Sequence, residues 1–184
     1  MTRAAMIGMV ILGASAKVAF AAGGEVVITF DKVETGKPLA SYTDKDRDVV
    51  FALSRQPAKS KAAGRVMFFP HLKTDRKGIL NAMADESTPV EVRFPKPVSS
   101  ATLELWGSIG SAALVEAYDK DGKVVDTAKR DKVPERTGPE KPVPSFELTV
   151  KAPAIAYVRF SGARPGGYLV CDEVRFIPRP DPAK

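Results

Sequence analysis

The amino-acid sequence predicts an all-β protein, an antiparallel β-sandwich of about eight to ten strands with little helix. Three observations lead to this prediction. Apolar and polar residues alternate over short stretches, as in strands that are buried on one face only. Valine, isoleucine, phenylalanine and tyrosine are concentrated inside these stretches. Turns that contain glycine or proline separate them, and many short strands joined by turns are typical of a sandwich.

The clearest strand pattern covers residues 97–130. Residues 101–105 and 113–118 each alternate between an apolar and a more polar face. An Asp-Lys-Asp-Gly turn follows and ends at Gly122, which can adopt the positive φ that a tight hairpin needs. Val124 begins the return strand. This stretch therefore predicts a β-meander at the centre of the chain.

The other strands are predicted from the same alternation. We expect them over residues 25–33, 49–53, 66–69, 90–94, 146–150, 156–160 and 168–177. Pro95 and Pro97 are expected to end the strand at 90–94. Residues 78–86 are predicted to form one or two helical turns, and residues 131–144, with four prolines, a long surface loop.

The first residues have the layout of a secretory signal peptide. Arg3 precedes an apolar run, and a small-x-small motif ends at Ala21. A buried N-terminal helix or a membrane anchor is the alternative. We predict cleavage after Ala21, which leaves a single domain over 22–177 and a proline-rich tail over 178–184. The mature protein is then secreted, periplasmic or on the cell surface, with no membrane span.

The charge excludes nucleic acid as the expected partner. The chain has a formal net charge of +6, and removal of the leader leaves 26 basic and 22 acidic residues. These charges are interleaved and do not form the basic stripe with stacking aromatics that binds nucleic acid. Cys171 is the sole cysteine, so no intramolecular disulfide can form, and it is expected to be a small buried side chain.

Catalytic motifs are missing from the sequence. His71 is the sole histidine, and no G-x-S-x-G elbow occurs. Residues 119–122 resemble the start of an EF-hand loop, but the glycine comes two positions early and Arg130 stands where the glutamate should be. Asp44, Asp46 and Asp48 also alternate but lack the glycine. Both acidic stretches are therefore interpreted as turns.

Two residues have an unusual position in the alternation. Trp106 follows Leu105 and should face away from the core if alternation holds, which would suit a sugar platform; burial in the core is the alternative. Asp172 shares its phase with Val170, Val174 and Phe176, so it should point inward and need a partner or an ion. A bulge at 171–172 that turns Asp172 to solvent is the other interpretation.

Taken together, these strands resemble a known family of modules. Secreted bacterial β-sandwich modules of the galactose-binding-like, carbohydrate-binding type resemble this sequence in the opening Ile28-Thr29-Phe30-Asp31, in the stretches 90–107, 115–128 and 146–162, and in 166–176 with its closing strand 172–176. That resemblance implies a jelly-roll-like sandwich that binds a glycan or a cell-surface polymer.

The resemblance also implies residue roles. A structural calcium where the first and last strands lie together would involve Asp31 and Asp172, with Glu25 and Glu173 as weaker additions. Asp31 and Asp172 are therefore predicted to lie close together, near a shared cation or a basic partner such as Arg175 or Lys32.

We therefore predict an exported, non-catalytic, monomeric binding module for a glycan or surface polymer. Trp106 and Tyr118 are its candidate ligand-binding residues. A structural or protein-interaction module of the cell envelope is the alternative, and a hydrolase is a third hypothesis.

Overall fold

The computed structural model describes residues 24–54, 65–71, 74–82, 88–107, 112–162 and 168–179. The leader predicted over 1–21 lies outside the described residues, as do 55–64 and the end of the tail. The described residues form ten strands and no helix. The strands are β1 (Val26–Thr29), β2 (Ser41–Asp44), β3 (Val49–Leu53), β4 (Val66–Pro70), β5 (Lys77–Asn81), β6 (Val90–Gly107), β7 (Ala113–Tyr118), β8 (Val124–Arg130), β9 (Phe146–Gly162) and β10 (Leu169–Pro178).

The strands pair in antiparallel fashion and form two layers. One layer has the order β2-β3-β6-β9-β7-β8, and the other has the order β4-β5-β10-β6-β9 with β1 added to β10. The predicted fold class, an antiparallel β-sandwich of the jelly-roll-like type, is confirmed. None of the described residues forms a helix that is long and apolar enough to cross a membrane.

Two long strands, β6 and β9, belong to both layers. Their pairing changes register between Arg93 and Val98 and again between Val98 and Ser100, so residues 94–97 of β6 and 152–154 of β9 are left out of the β6–β9 pairing where the chain passes from one layer to the other. Pro95, Pro97 and Pro153 lie in these unpaired stretches, where a missing N–H costs no ladder hydrogen bond. The prediction that Pro95 and Pro97 end a strand is therefore wrong, because the prolines mark a bend within one strand.

The hydrophobic core lies between the two layers. Alternation along each strand sends every second side chain into it, as predicted for β6, β7 and β9. Its largest fully buried members are Phe30, Phe51, Phe68, Phe160, Ile28, Ile79, Leu103, Leu105 and Ile155. Each such side chain contributes roughly 1.5–3 kcal/mol on burial. Cys171 is part of this core, as expected.

Residues 78–81 correct the sequence-based prediction of helical turns. They belong to β5, where Ile79 lies opposite Phe68 of β4 and Cys171 of β10. Long-range pairing with two strands overrides the ambiguous local preference of this segment. By contrast, residues 131–144 contain no strand and form the predicted loop.

The hairpin between β7 and β8 has the predicted turn. Gly122 has a φ of 80°, the left-handed conformation that glycine adopts without strain. The carboxylate of Asp119 accepts hydrogen bonds at 2.9 Å from the backbone N–H groups of Asp121 and Lys123. This carboxylate therefore serves the turn, as the sequence indicated.

Candidate functional site

Trp106 lies on the outer face of the layer that contains β4, β5 and β10. Alternation does hold at the end of β6, so Leu105 enters the core and Trp106 points away from it. The indole is nevertheless fully buried, because His71, Phe69 and Tyr168 pack around it with ring centroids 4.9, 6.2 and 6.2 Å away. Trp106 thus belongs to a second, smaller hydrophobic cluster and presents no exposed face to a ligand.

Asp172 lies in a β-bulge beside Trp106. Leu105 of β6 pairs with Cys171, and Glu104 pairs with Glu173, so Asp172 is the extra residue. The bulge that was an alternative interpretation is present, but it does not turn the carboxylate to solvent, since Asp172 is only 1% exposed. Instead, the side chain joins the outer cluster that holds Trp106.

The Asp172 carboxylate has one hydrogen-bond donor and one nearby cation, and its Oδ2 atom is buried without a hydrogen bond. Trp106 Nε1 donates a hydrogen bond of 2.6 Å to Oδ1. Arg76 Nε lies 3.8 Å from Oδ2, which is too far for a hydrogen bond but close enough for charge attraction. Burial raises the pKa of Asp172, and the hydrogen bond from Trp106 and the charges of His71 and Arg76 oppose that rise. The basic partner is Arg76 rather than the suggested Arg175 or Lys32.

Arg76 connects this cluster to a second carboxylate. Its guanidinium donates two hydrogen bonds to Glu104, at 2.6 and 2.8 Å, in a fork-to-fork arrangement. The Ser145 hydroxyl adds a third, at 2.6 Å. These hydrogen bonds, with that from Arg76 the strongest, lower the pKa of Glu104 to about 2. The outer face is therefore built around an ionised and fully bonded carboxylate.

The predicted calcium ligands do not form one cluster of oxygen donors. The neighbours of Asp172 are N–H donors, which do not fit the six to eight oxygen ligands that Ca²⁺ takes. Glu173 pairs with Arg175 at 3.0 Å, while Glu25 and Asp31 are exposed. Among the described residues, no group of three or more His, Cys, Asp or Glu side chains is placed to hold a metal ion. Calcium binding stays a prediction.

Tyr118 lies on the outer face of the other layer. Its ring stacks on Tyr157 with centroids 4.8 Å apart, and the Arg159 guanidinium covers it at 4.6 Å. The hydroxyl donates a hydrogen bond of 2.9 Å to Glu116. Because only 8% of Tyr118 is exposed, it offers a ligand little surface unless Arg159 moves.

An open cleft lies where the edge strand β1 of one layer faces the edge strand β2 of the other. Its volume is about 520 Å³, within the range of small-molecule sites. It is lined by Val27, Thr29, Asp31, Lys32, Val33, Tyr42, Thr43, Asp44, Lys45, Asp46 and Arg47. Of the residues singled out by the sequence, Asp31, Lys32, Asp44 and Asp46 meet here.

The wall of the cleft around Tyr42 is fixed by aromatic packing. The ring of Tyr42 contacts Phe68 and Phe30 edge to face, with centroids 4.9 and 6.1 Å away. Phe30 is fully buried beneath it. Burial, followed by the charges of Asp44 and Asp46, raises the pKa of Tyr42, so its hydroxyl keeps its proton and can donate a hydrogen bond.

The turns beside the cleft are held by specific contacts. After β1, the N–H of Val33 donates to the carbonyl of Phe30 at 3.0 Å, and Lys77 Nζ donates to the carbonyl of Val33 at 2.8 Å. After β2, the buried Asp44 carboxylate accepts hydrogen bonds from the N–H of Arg47 at 3.0 Å and from its guanidinium at 3.4 Å. The interpretation of this acidic stretch as a turn is confirmed. Its position at a cleft was not predicted.

The charged groups in the cleft differ in their partners. Arg47 is paired with Asp44 at 3.4 Å and with Asp46 at 3.6 Å. Asp31, Lys32 and Lys45 make no ion pair or side-chain hydrogen bond with any residue that the structure describes. These three groups are therefore free to bind a ligand.

The chain was compared with known proteins at three levels. No model of a protein family matches it, and no curated protein sequence does. Among solved structures, BiXyn10A CBM1 is similar to this chain with a TM-score of 0.41 at 9% identity. The match covers 85% of this chain and 97% of the BiXyn10A CBM1 chain. CsCBM6-3 from Clostridium stercorarium, solved with cellobiose, has a TM-score of 0.37 at 10% identity. The match covers 77% of this chain and 96% of the CsCBM6-3 chain.

A third structure is an enzyme. A glycoside hydrolase family 43 arabinoxylan arabinofuranohydrolase from Bacillus subtilis, solved with cellotetraose, has a TM-score of 0.38 at 17% identity. It covers 64% of this chain, which in turn spans about a quarter (26%) of the enzyme's length. Two further similar structures, TmCBM61 and the module CBM6cm-2 of Cellvibrio mixtus lichenase 5A, are also carbohydrate-binding modules. At these identities the likeness concerns the fold alone, and no residue role is transferred.

Proposed function

We propose that this protein is an exported, non-catalytic module that binds a glycan or a surface polymer in the cleft between β1 and β2. The observation that carries the proposal is the composition of that cleft. It has an apolar wall and a set of hydroxyl and charged groups around one opening. A sugar ring is amphipathic in the same way, with apolar C–H faces and polar hydroxyl edges.

Each side of the cleft has a task in this proposal. Val27, Val33 and the ring of Tyr42 contact the C–H face of a sugar. Thr29 and Thr43 offer hydroxyl groups, and Asp31 accepts hydrogen bonds from sugar hydroxyls. The packing of Tyr42 on Phe30 and Phe68 holds its ring in place before a ligand arrives, which lowers the entropic cost of binding.

The carboxylates of the cleft favour binding over hydrolysis. A glycosidase needs a pair of carboxyl groups, one of them kept protonated by an apolar environment. Here Asp44 accepts hydrogen bonds from Arg47, Asp46 is an exposed carboxylate paired with the same guanidinium, and Asp31 is exposed as well. None of the three has the apolar surroundings of a general acid, so we assign no catalytic residue.

The test is a binding screen with the mature chain, residues 22–184. Retention by at least one glycan or surface polymer in an array or in affinity electrophoresis is expected. Thr43→Ala and Asp31→Asn should weaken that binding, because both side chains are exposed and line the cleft. Asp131→Asn is the matched control, because Asp131 is exposed and follows β8, at the opposite edge of the layer from β2.

Two results would contradict the proposal in different ways. If no glycan or polymer is retained, the chain is better described as a structural or protein-interaction module of the envelope. If a glycan or polymer binds the protein, but the Thr43→Ala and Asp31→Asn variants bind it as well as the unsubstituted protein does, the binding site lies elsewhere on the sandwich.

A further inference from the structure

Asp172 is a buried carboxylate with only one of its two oxygens hydrogen-bonded. Oδ1 accepts the hydrogen bond from Trp106 Nε1, whereas Oδ2 is buried and receives none. The guanidinium of Arg76 lies 3.8 Å from Oδ2 and already donates two hydrogen bonds to Glu104. A buried charge that lacks hydrogen bonds is costly, so this arrangement stabilises the ionised form of Asp172 poorly.

The electrostatic environment of Asp172 comes from every strand packed around it. Its charged and titratable neighbours are His71 after β4, Arg76 before β5, Glu104 on β6, and Cys171 and Glu173 on β10. Burial is the largest influence and raises the pKa of Asp172, while the hydrogen bond from Trp106 and the charges of His71 and Arg76 oppose that rise. A proton on Asp172 removes the buried charge, and a neutral carboxyl group costs less to leave partly unbonded than a charged one.

The hairpin of β4 and β5 is joined to the rest of the sheet beside this carboxylate. In the described part of the chain, β5 and β10 pair in register at one position, where Ile79 lies opposite Cys171. Asp172 is the next residue along β10, and its Oδ1 lies 2.3 Å from where a Cβ would be at Gly78. Arg76, immediately before β5, ties the same end of the hairpin to β6. A change of charge at Asp172 therefore acts where the hairpin is attached.

We infer that Asp172, Trp106 and Arg76 form a pH-sensitive contact that holds the β4–β5 hairpin on β10. With a proton on Asp172, Oδ1 still accepts the hydrogen bond from Trp106, and Arg76 serves Glu104 alone. Without the proton, the buried charge on Oδ2 competes with Glu104 for Arg76, and the hairpin is held less firmly. This contact lies outside the cleft and does not depend on glycan binding.

The direction of the pH dependence follows from the environment of Asp172. Because burial sets its folded pKa above the unfolded value, the contribution of Asp172 to stability is complete below the unfolded pKa. That contribution is lost as the pH rises through the folded pKa. The pairing of Glu104 with Arg76 has the opposite dependence and is lost only in strong acid, so the two effects are separated above pH ~4.5.

The fluorescence of Trp106, the sole tryptophan, reports the charge on Asp172. In native residues 22–184, the emission should follow a single-proton titration above pH ~4.5, where Glu104 stays ionised. Asp172→Asn keeps an acceptor oxygen for Trp106 but cannot ionise, so it should abolish this titration. His71→Gln removes the other titratable ring, 4.9 Å from the indole, and should leave the titration in place. A titration that persists in Asp172→Asn and disappears in His71→Gln would overturn the inference.

Hydrogen exchange measured by NMR then tests the hold on the hairpin. Relative to the exchange of an unstructured peptide at the same pH, the protection of the β5 amides should fall by roughly threefold or more between pH ~5 and pH ~8. This first comparison uses the unsubstituted protein alone, so it does not depend on the folding of a variant. Asp172→Asn should keep the protection constant, and Asp131→Asn, which removes an exposed carboxylate, should behave like the unsubstituted protein. Protection that is independent of pH, or that falls equally in Asp172→Asn, would show that the inference is wrong.

Discussion

Replacement of Gly78 by alanine should destabilise the sandwich, because the bulge residues occupy the space of the missing side chain. A Cβ at Gly78 would lie 2.3 Å from Asp172 Oδ1, 2.5 Å from Val170 Cγ1 and 2.8 Å from the carbonyl oxygen of Cys171. None of these atoms can move freely. Asp172 is held by its hydrogen bond to Trp106, Val170 is fully buried, and the Cys171 oxygen is backbone.

The size of the effect follows from these contacts. Forcing a methyl group into a packed site costs about 1–3 kcal/mol. Displacement of Asp172 from Trp106 weakens a hydrogen bond to a charged group, which contributes about 1.5–3 kcal/mol. The lower backbone entropy of alanine in the unfolded state offsets about 0.4–1 kcal/mol. The free energy of unfolding should therefore fall by roughly 1.5–5.5 kcal/mol.

Urea unfolding followed by tryptophan fluorescence measures this effect directly. Trp106 is the sole tryptophan, so the signal also reports the packing around the bulge. Gly138→Ala is the matched control, because its nearest neighbour would be Lys141 Cγ at 3.9 Å and its stability should change by less than about 0.5 kcal/mol. A Gly78→Ala protein that matches this control, with unchanged native emission, would refute the argument.

Four further predictions concern the same molecule. Trp106→Phe should lower the free energy of unfolding by about 2–3 kcal/mol, because the buried Asp172 loses its donor; a loss below about 0.5 kcal/mol in urea unfolding would contradict that. Glu104 has a folded pKa of about 2, so its stabilising pairing with Arg76 is complete above pH ~4.5 and is lost as pH falls towards 2; in Glu104→Gln this part of the pH–stability curve should be flat, with a difference on the order of 1–2 kcal/mol because Arg76 is partly exposed. If calcium binds, the Tm should rise with added Ca²⁺ and fall with chelator, and an unmoved melting curve would remove calcium from the description. Mass spectrometry of protein from its native host should find the N-terminus at Ala22 or within one or two residues of it, whereas an intact Met1 would contradict export by cleavage.

Local patterns predicted the faces of the strands well. The side chains that alternation assigned to the core in residues 101–105 and 113–118 are the ones that point into it. Gly122 adopts the positive φ that the predicted turn required. These features depend on neighbours within a few positions along the chain. They can therefore be inferred without knowledge of which strands pair.

Features that depend on distant pairing could not be inferred in this way. From the local sequence alone, Pro95 and Pro97 were expected to end a strand. In the structure β6 continues through them, because its pairing with β9 changes register at the same place. One extra residue at Asp172 reverses the faces of β10, so Val170 lies outside the core while Val174 lies within it. Alternation counted across a bulge gives the wrong face on one side of it.

The cleft was missed for a related reason. Its two walls come from β1 in one layer and β2 in the other, and these strands do not pair with each other. The sequence showed the alternating carboxylates of Asp44 and Asp46, but each was explained by a turn. Only the packing of the two layers brings Asp31 and Lys32 to the same cleft as Asp44 and Asp46.

The two charged regions of this molecule differ in whether their groups already have partners, and that difference decides where a ligand should be sought. On the outer face of the layer that contains β4, β5 and β10, Asp172 accepts a hydrogen bond from Trp106 and Glu104 accepts hydrogen bonds from Arg76. A ligand that bound there would have to break these contacts, which stabilise the fold by several times as much as an exposed ion pair stabilises a complex. In the cleft, the lysines have no such contacts to lose. A surface that binds reversibly needs groups whose interactions are completed by the ligand, and among the regions described above the cleft is the one that supplies them.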